Sequence, residues 1–168
     1  TYDFSYDDEV ICGNTRPDVE GVIGSSLNWK GFSVSLNFRY QMGKDVFNEA
    51  LYSKVENISR SDLNKNQDKR ALYERWQEEG DIVRFKNIAS AETTPMSSRF
   101  VQEENVLTLE SVYLGYEFYD GWIKKLGLSS LKFQVSMRDV FRASTIRSER
   151  GISYPFARSM EAGLSFNF

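Results

Sequence analysis

The sequence predicts an all-β fold: the C-terminal strands of a large antiparallel transmembrane β-barrel, with a short helix in one long extracellular loop. Three observations support this prediction. Several segments alternate between apolar and polar residues, their connections alternate between short and long, and aromatic residues collect at one end of the strands. A content of 40% hydrophobic and 27% charged residues suits strands that spend half of their side chains on lipid.

Strict alternation defines the predicted strands. From Phe32 to Met42 every even position is apolar and every odd position is polar. Eleven residues at about 3.3 Å each, tilted by about 45°, span roughly 25 Å, which is the height of a barrel's lipid-facing band. Soluble strands are typically half as long. We predict strands at residues 22–29, 32–42, 106–119, 130–141 and 157–168.

One predicted strand changes its pattern along its length. In the segment 106–119, Leu107 and Leu109 have the opposite parity to Val112. A change of parity within a strand is typical of a bulge or of a late strand start. We therefore expect one of these near Glu110.

The connections alternate between the two ends of the strands, as an up-and-down barrel requires. The segments 30–31 and 120–129 are short, which is typical of periplasmic turns. The segments 43–105 and 142–156 are long, which is typical of extracellular loops. Aromatic residues gather at the short-turn end and resemble a membrane-interface girdle: Trp29, Phe32, Phe118, Trp122, Phe166 and Phe168.

Polar residues of the predicted strands share the face opposite to the apolar one. A barrel places this face toward its lumen, because a cation on the lipid face costs about 2–4 kcal/mol at the midplane. The residues there can line a solute path or contact a plug. The candidates are Arg39, Gln41, Gln134, Arg138 and Glu161.

Five strands cannot close a barrel, because an open sheet leaves unpaired backbone groups in hydrocarbon. Plugged transporters have about 22 strands, so we expect the others upstream of this chain. The start Thr1-Tyr2-Asp3 is no signal peptide, and the chain has no apolar run long enough for a transmembrane helix. We therefore interpret the chain as a fragment.

The longest loop contains the candidate contact residues. The segment 68–79 predicts an amphipathic helix with Leu72, Tyr73 and Trp76 on one side. Its aromatic rings can stack on a sugar or bury against a lid protein, or they can anchor the loop to the barrel rim. The candidates are Tyr73, Trp76, Arg70, Arg75 and Arg99.

The sequence gives little support for catalysis or for metal binding. The chain has no histidine and one cysteine, Cys12, so we expect no enzyme, no catalytic residue, no cofactor and no metal. The acidic residues Asp3, Asp7, Asp8 and Glu9 lack the spacing and the central glycine of a calcium loop. The net charge of −3 argues against nucleic-acid binding.

Six stretches of the chain carry a family resemblance through their order and spacing: ICGNTRP, NWKGFSVSLNFRYQMG, DKRALYERWQEEGD, SSRFVQEENVLTLESVYLGYEF, WIKKLGLSSLKFQVSMRDVF and ARSMEAGLSFNF. Over nearly the whole chain they resemble the C-terminal end of SusC/RagA-like TonB-dependent transporters. The resemblance implies outer-membrane import of a nutrient, either an oligosaccharide or a peptide. It also implies a SusD-like surface lipoprotein as partner and TonB contact through a missing N-terminal region. It further implies contact with outer-membrane lipid and recognition of the terminal Phe168 by the barrel assembly machinery.

Two stretches depart from this family. Relatives often carry an Asn where this chain reads Arg138-Asp139-Val140-Phe141, and the last loop reads GISYPF instead of a Gly-x-Asp-Pro-Glu pattern. The substrate therefore stays open. Alternation alone also permits a passive porin, a surface adhesin barrel or, less favourably, a soluble β-sandwich binding module.

Overall fold

Five strands form one antiparallel sheet in the computed structural model, which describes residues 5–90, 92–147 and 158–168. The strands lie side by side in chain order, so the predicted all-β antiparallel fold is confirmed. In this segment the sheet is open. The strands are β1 (Val19–Trp29), β2 (Phe32–Phe47), β3 (Val101–Phe118), β4 (Ser130–Ser144) and β5 (Ser159–Asn167).

The pairing of β2 with β3 extends further than the alternation predicts. The backbone N–H of Gly43 donates to Asn105 Oδ1 at 2.8 Å, and that of Asn48 donates to the carbonyl of Phe100 at 2.8 Å. The two strands therefore stay together beyond Met42, where the alternation of apolar and polar residues has ended. The predicted loop 43–105 is corrected to the shorter connection 48–100.

The other strand ends also differ from the predicted ones. β1 begins at Val19 instead of 22, and β3 ends at Phe118. β4 continues to Ser144, so the last loop begins later than the predicted residue 142. Most of that loop, together with the predicted strand start at 157 and Asp3 of the acidic cluster, lies outside the described residues.

Strand pairing aligns the apolar residues of neighbouring strands on one face. Tyr116 pairs with Phe133 and Phe133 pairs with Leu164, while Ile23 pairs with Phe38. Many of these side chains are exposed, for example Leu164 at 59%. A continuous, exposed apolar surface of this kind fits contact with lipid.

A tight turn joins β1 to β2. Lys30 has a φ of 47° and Gly31 has a φ of 87°. Two residues with positive φ form a type I′ turn, whose twist matches that of the flanking strands. Gly31 is required there for a second reason, because an added Cβ would lie 2.5 Å from the carbonyl oxygen of Glu117.

The irregularity expected near Glu110 is present, but the extra residue lies in β4. Leu109 pairs with Phe141 and Ser111 pairs with Arg138, so Glu110 stands opposite both Asp139 and Val140. Asp139 has a φ of 52°. Aspartate is one of the few residues with a side chain that tolerates this left-handed conformation.

The helical segments are short. The β2–β3 connection contains α1 (Glu49–Leu51), a π-helical turn (Tyr52–Glu56), α2 (Lys69–Tyr73) and two 3-10 turns (Arg60–Asp62 and Ser98–Phe100). A further 3-10 turn (Tyr6–Asp8) precedes β1. The helix α3 (Trp122–Lys125) lies between β3 and β4. None of the helices in the described ranges is long and apolar enough to cross a bilayer.

The predicted helix 68–79 is wrong in its length. Asp68 caps it by accepting from the N–H of Arg70 at 2.9 Å, and the helix ends at Tyr73. It ends early because the chain turns to pair with a later segment, where the N–H of Trp76 donates to the carbonyl of Phe85 at 2.9 Å. The helix buries Ala71 and leaves Leu72 exposed, contrary to the predicted apolar side.

The chain divides into two compact units. The first, here called the loop unit, comprises Thr1–Arg16, Lys44–Glu104 and Ile146–Glu149. The second, here called the sheet unit, comprises Pro17–Gly43, Asn105–Thr145 and Arg150–Phe168. The two sets of candidate residues fall into different units and are described separately.

Candidate functional site

The β2–β3 connection is closed at its base by Asn48. The side chain of this buried residue accepts from the N–H of Leu51 at 3.1 Å and donates to Gln102 Oε1 at 2.8 Å. The first bond caps α1, and the second ties the start of the connection to β3. The loop therefore leaves the strands at a fixed point.

A small apolar core holds the connection in shape. Rings of Phe47, Tyr52 and Phe100 pack around each other with centroids 5.2–5.9 Å apart. Such tilted and edge-on pairs are favoured by the ring quadrupoles. The buried members of this core are Leu51, Val55, Ala71, Phe85 and Phe100.

A buried carboxylate joins three segments of the loop unit. Glu56, whose residue surface is 2% exposed, accepts from Arg99 Nη2 at 2.7 Å and from Thr94 Oγ1 at 2.6 Å. The N–H of Lys86 donates to it as well, at 3.3 Å. Burial alone would raise the pKa of Glu56, but the hydrogen bonds from Thr94 and Arg99 outweigh it and lower that pKa below its usual range.

The three candidate arginines of this loop are all engaged within the protein. Arg75 is buried, and its guanidinium donates to the carbonyls of Val55, Glu56, Lys86 and Asn87. These bonds hold two distant stretches of chain together. Arg75 therefore stabilises the loop from within.

Arg70 and Arg99 have internal partners too. Arg70 forms a two-point ion pair with Asp68, at 3.0 and 2.5 Å. The hydrogen bonds from Arg70 to Asp68 are the main cause of the lowered pKa of that carboxyl. Arg99, besides its bond to Glu56, lies over the ring of Phe100 at 4.8 Å. It also donates to the carbonyl of Arg84 at 3.2 Å, and its side chain stays 46% exposed.

Tyr73 and Trp76 offer exposed rings on the same connection. Tyr73 is 73% exposed and Trp76 is 41% exposed. The backbone of Trp76 is fixed by its bond to Phe85, and the following turn is closed by Asp81, whose carboxylate accepts from the N–H groups of Gln77 and Glu78. Aromatic rings on an ordered backbone can stack on a sugar or bury against a partner protein.

Two clefts of the loop unit were not predicted from the sequence. One, of about 520 Å³, is mainly apolar and includes Val10, Phe47 and Met96 among its lining residues. The other, of about 400 Å³, has a mixed polar and apolar lining that includes Asn57 and Lys86. Both clefts are lined by residues that are far apart in the chain, so no local sequence pattern predicts them.

Asp8 and Cys12 lie in the segment that precedes β1. Asp8 accepts from the N–H of Ser5 at 2.9 Å, and Cys12 is an exposed thiol. Within residues 5–90, 92–147 and 158–168, no three acidic or cysteine side chains are grouped as a metal site would require.

On the polar face of the sheet unit, the candidate lumen residues contact neighbouring strands. Arg39 pairs with Glu110 at 2.5 Å, and Gln41 donates to Glu20 at 3.2 Å. These partners were not predicted, because pairing across strands depends on register. Arg138 and Glu161 lie on the same face and are exposed.

Gln134 lies in a row with two glycines. It pairs with Gly115 on β3 and with Gly163 on β5, and it accepts from the Tyr113 hydroxyl at 3.2 Å. A Cβ at Gly163 would lie 3.1 Å from Gln134 Nε2, and one at Gly115 would lie 2.9 Å from the Tyr113 oxygen. The glycines thus let these two side chains lie flat against the sheet.

Comparison with known proteins gives three similarities. No family model matches the chain. It is 25% identical over 146 residues to the TonB-dependent receptor P39 of Formosa agariphila, which covers 83% of the chain and 14% of that receptor. The chain thus spans a small part of the relative that it matches.

Two solved structures share the fold. The RagAB peptide importer in its open-open state matches with a TM-score of 0.74 and 19% identity, over 100% of this chain and 19% of the matched chain. Its closed-closed state matches with a TM-score of 0.65 and 20% identity, over 88% and 16%. Together with the sequence similarity, this shared fold confirms the resemblance of the chain to a β-barrel segment of TonB-dependent outer-membrane transporters.

Proposed function

We propose that the protein to which this chain belongs imports a nutrient across the outer membrane in a TonB-dependent manner. One observation carries the proposal: long antiparallel strands with one apolar and one polar face, in a fold shared with an importer. The similarity to a TonB-dependent receptor supports the coupling. The proteins compared above are a receptor and an importer, which agrees with a role other than catalysis.

The proposed topology follows from the connections. The turn at 30–31 and the connection 120–129 lie at the periplasmic rim, and the long connection 48–100 lies outside the cell. Upstream strands complete a barrel of about 22 strands around a plug. Phe168, directly after β5, serves recognition by the barrel assembly machinery.

The substrate in this proposal is an oligosaccharide or a peptide, and a SusD-like lipoprotein covers the extracellular mouth. Tyr73 and Trp76 contact the substrate or this lid, since both rings are exposed on an ordered segment. Arg99, whose side chain is 46% exposed, contributes a further contact. Arg70 and Arg75 support the loop and have no direct contact with the ligand.

The polar face of the sheet meets the plug or lines the solute path. The flat row around Gln134 leaves room for a surface to approach closely. Arg39 and Gln41, each held by an acidic neighbour, present a fixed pattern of charge. The plug itself and the segment that contacts TonB belong to the upstream region.

Uptake in the native host tests this function. Fluorescein-labelled maltoheptaose and fluorescein-labelled tryptic casein peptides serve as probes, with and without a protonophore. We expect one probe to accumulate in the parent strain, and accumulation to stop on gene deletion or protonophore addition. The variant Tyr73→Ala/Trp76→Ala should reduce uptake by about fivefold or more, since buried aromatic contacts dominate binding.

Leu72→Ala is the matched control, because Leu72 is similarly exposed on the same helix. Its uptake should equal that of the parent. Uptake that depends on the gene but persists with the protonophore would contradict TonB coupling and favour a passive porin. Parental uptake by the double variant would remove Tyr73 and Trp76 from the contact surface.

A further inference from the structure

A third, smaller cleft of the loop unit collects hydrogen-bond donors. It has a volume of about 150 Å³ and is lined by Leu51, Arg84, Phe85, Arg99 and Gln102. All of these residues belong to the loop unit. None of the described residues that line the cleft is acidic. Its polar side chains are therefore two guanidinium groups and one amide.

The amide of Gln102 is oriented by a hydrogen bond outside the cleft lining. Its Oε1 atom accepts from Asn48 Nδ2 at 2.8 Å, which occupies the acceptor end of the amide. Among the described residues, no partner accepts from its Nε2 group. Because an amide nitrogen can only donate, Gln102 has a donor left for a ligand.

The two arginines differ in how their charge is balanced. Arg99 donates to the carboxylate of Glu56 at 2.7 Å and to the carbonyl of Arg84 at 3.2 Å. Its positive charge is therefore offset by a buried negative one. Arg84 is exposed, and its guanidinium forms no ion pair within the described part of the chain. Arg84 thus gives the cleft a net positive charge.

The remaining lining is apolar, and the cleft is small. Leu51 and Phe85 are both buried in the core of the loop unit. A hydrogen bond to a charged group is stronger beside such a low-dielectric surface than in water. The volume of about 150 Å³ lies below the roughly 300–1,000 Å³ of sites that enclose a whole ligand. The cleft therefore suits one anionic end group with the carbon atoms next to it.

We propose that this cleft binds a carboxylate of the imported solute. The guanidinium of Arg84 matches a carboxylate with two parallel hydrogen bonds, and Gln102 donates another. The adjoining carbon atoms pack against Leu51 and Phe85. A peptide carries this group at its C-terminus, and an acidic oligosaccharide carries it on uronic acid units. The inference rests on the proposed function, in which the connection 48–100 faces the solute outside the cell.

Calorimetric titration of the full-length, detergent-purified protein tests the proposal with two pairs of probes. One pair is trigalacturonic acid and its methyl ester, and the other is acetylated trialanine and its C-terminal amide. We expect the charged member of one pair to bind about tenfold more tightly than its neutral counterpart, since only a carboxylate accepts charge-assisted hydrogen bonds. The pair that shows the preference identifies the source of the carboxylate.

Substitution of Arg84 tests the charge. Arg84→Gln should weaken binding of the charged probe by about tenfold and leave binding of the neutral one unchanged, because the two-point contact is lost. Arg84→Lys keeps the charge without the planar fork and should retain part of the preference. Arg60→Gln is the matched control, because Arg60 is an exposed arginine of the same unit outside the cleft lining. Its binding should equal that of the parent.

Substitution of Gln102 tests the donor. Gln102→Glu keeps an oxygen that can accept from Asn48, but it replaces the amide nitrogen by a carboxylate oxygen. The charged probe should bind about tenfold more weakly to this variant, because a donor becomes a repelling charge. All variants should migrate as folded, heat-modifiable bands.

Three results would overturn the proposal. The first is equal affinity for the charged and neutral members of both pairs. The second is a parental charge preference in Arg84→Gln, and the third is an equal loss of preference in Arg84→Gln and Arg60→Gln. Any of these would show that the guanidinium of Arg84 does not hold a carboxylate in this cleft.

Uptake in cells keeps this inference apart from the proposed function. Protonophore-sensitive uptake without a charge preference in the titration would overturn the inference alone. Uptake that persists with the protonophore would overturn TonB coupling alone, provided that the titration still shows the charge preference and its loss in Arg84→Gln.

Discussion

Glu56 illustrates how one buried carboxylate can fix a long connection. It receives hydrogen bonds from Thr94, Arg99 and the backbone of Lys86, residues that lie 30 to 43 positions away in the chain. An ionised carboxylate in so enclosed a place is stable only while these donors remain. Removing one donor leaves a buried charge that is only partly compensated.

Arg99→Met should therefore destabilise the loop unit by about 1–2 kcal/mol, because Glu56 loses a charged donor while Arg99 is itself half exposed. Methionine preserves apolar contact with Phe100. Hydrogen exchange of the amides in segment 51–57 of the full-length protein measures the effect, and their protection should fall.

Lys65→Met is the matched control. Lys65 pairs with Asp62 at 2.7 Å, but its side chain is 64% exposed, and such surface pairs contribute about 0–1 kcal/mol. Exchange in segment 51–57 should stay at the parental level. If both variants lowered protection equally, the Glu56 network would not be the cause.

The roles of the loop arginines could not be predicted from sequence. Their clustering near Tyr73 and Trp76 gave no indication of whether they face a ligand or the protein. Arg75 is buried because backbone carbonyls from two separate stretches converge on it. These carbonyls come together only in the folded loop, so the sequence alone does not reveal the role of Arg75.

At the scale of secondary structure, the bulge in β4 is the element with most effect on neighbouring residues. It places Asp139 at a φ of 52° and shifts the register of β4 against β3 by one residue. The sequence revealed the irregularity through the parity change at Leu109 in β3. It could not assign the extra residue to β4, because that depends on pairing between strands.

Substitution of Asp139 tests the importance of its conformation. Asp139→Gly should leave stability within about 0.5 kcal/mol of the parent, because glycine adopts positive φ readily. Asp139→Val should destabilise by about 1–2 kcal/mol, since a β-branched residue is strained there. The temperature at which the folded band is lost on gels measures both, and equal temperatures for the two variants would contradict the assignment.

Strands were predicted more accurately than the helix, for a physical reason. The alternation from Phe32 to Met42 arises because one face of the strand meets an apolar environment and the other a polar one, so every residue carries the signal. The helix 68–79 rested on three apolar residues, and the pairing of Trp76 with Phe85 overrides that weak preference. Strand ends beyond Met42 were missed because pairing continues there without alternation.

At the scale of the whole molecule, the two faces of the sheet are the central feature. The exposed apolar face of Leu164 and Ile23 suits lipid, and the polar face carries paired residues such as Arg39 and Glu110. A soluble β-sandwich would bury the apolar face in a core instead. The two folds therefore differ in what surrounds consecutive residues of one strand.

Spin labelling of three consecutive residues in β2 measures this difference most directly. Val34→Cys, Ser35→Cys and Leu36→Cys are made singly in a Cys12→Ser background of the full-length protein, labelled with a nitroxide and reconstituted in lipid. The account predicts that labels at 34 and 36 collide mainly with oxygen dissolved in lipid, and the label at 35 mainly with a water-soluble nickel complex. Protection of positions 34 and 36 from both reagents would contradict a transmembrane barrel.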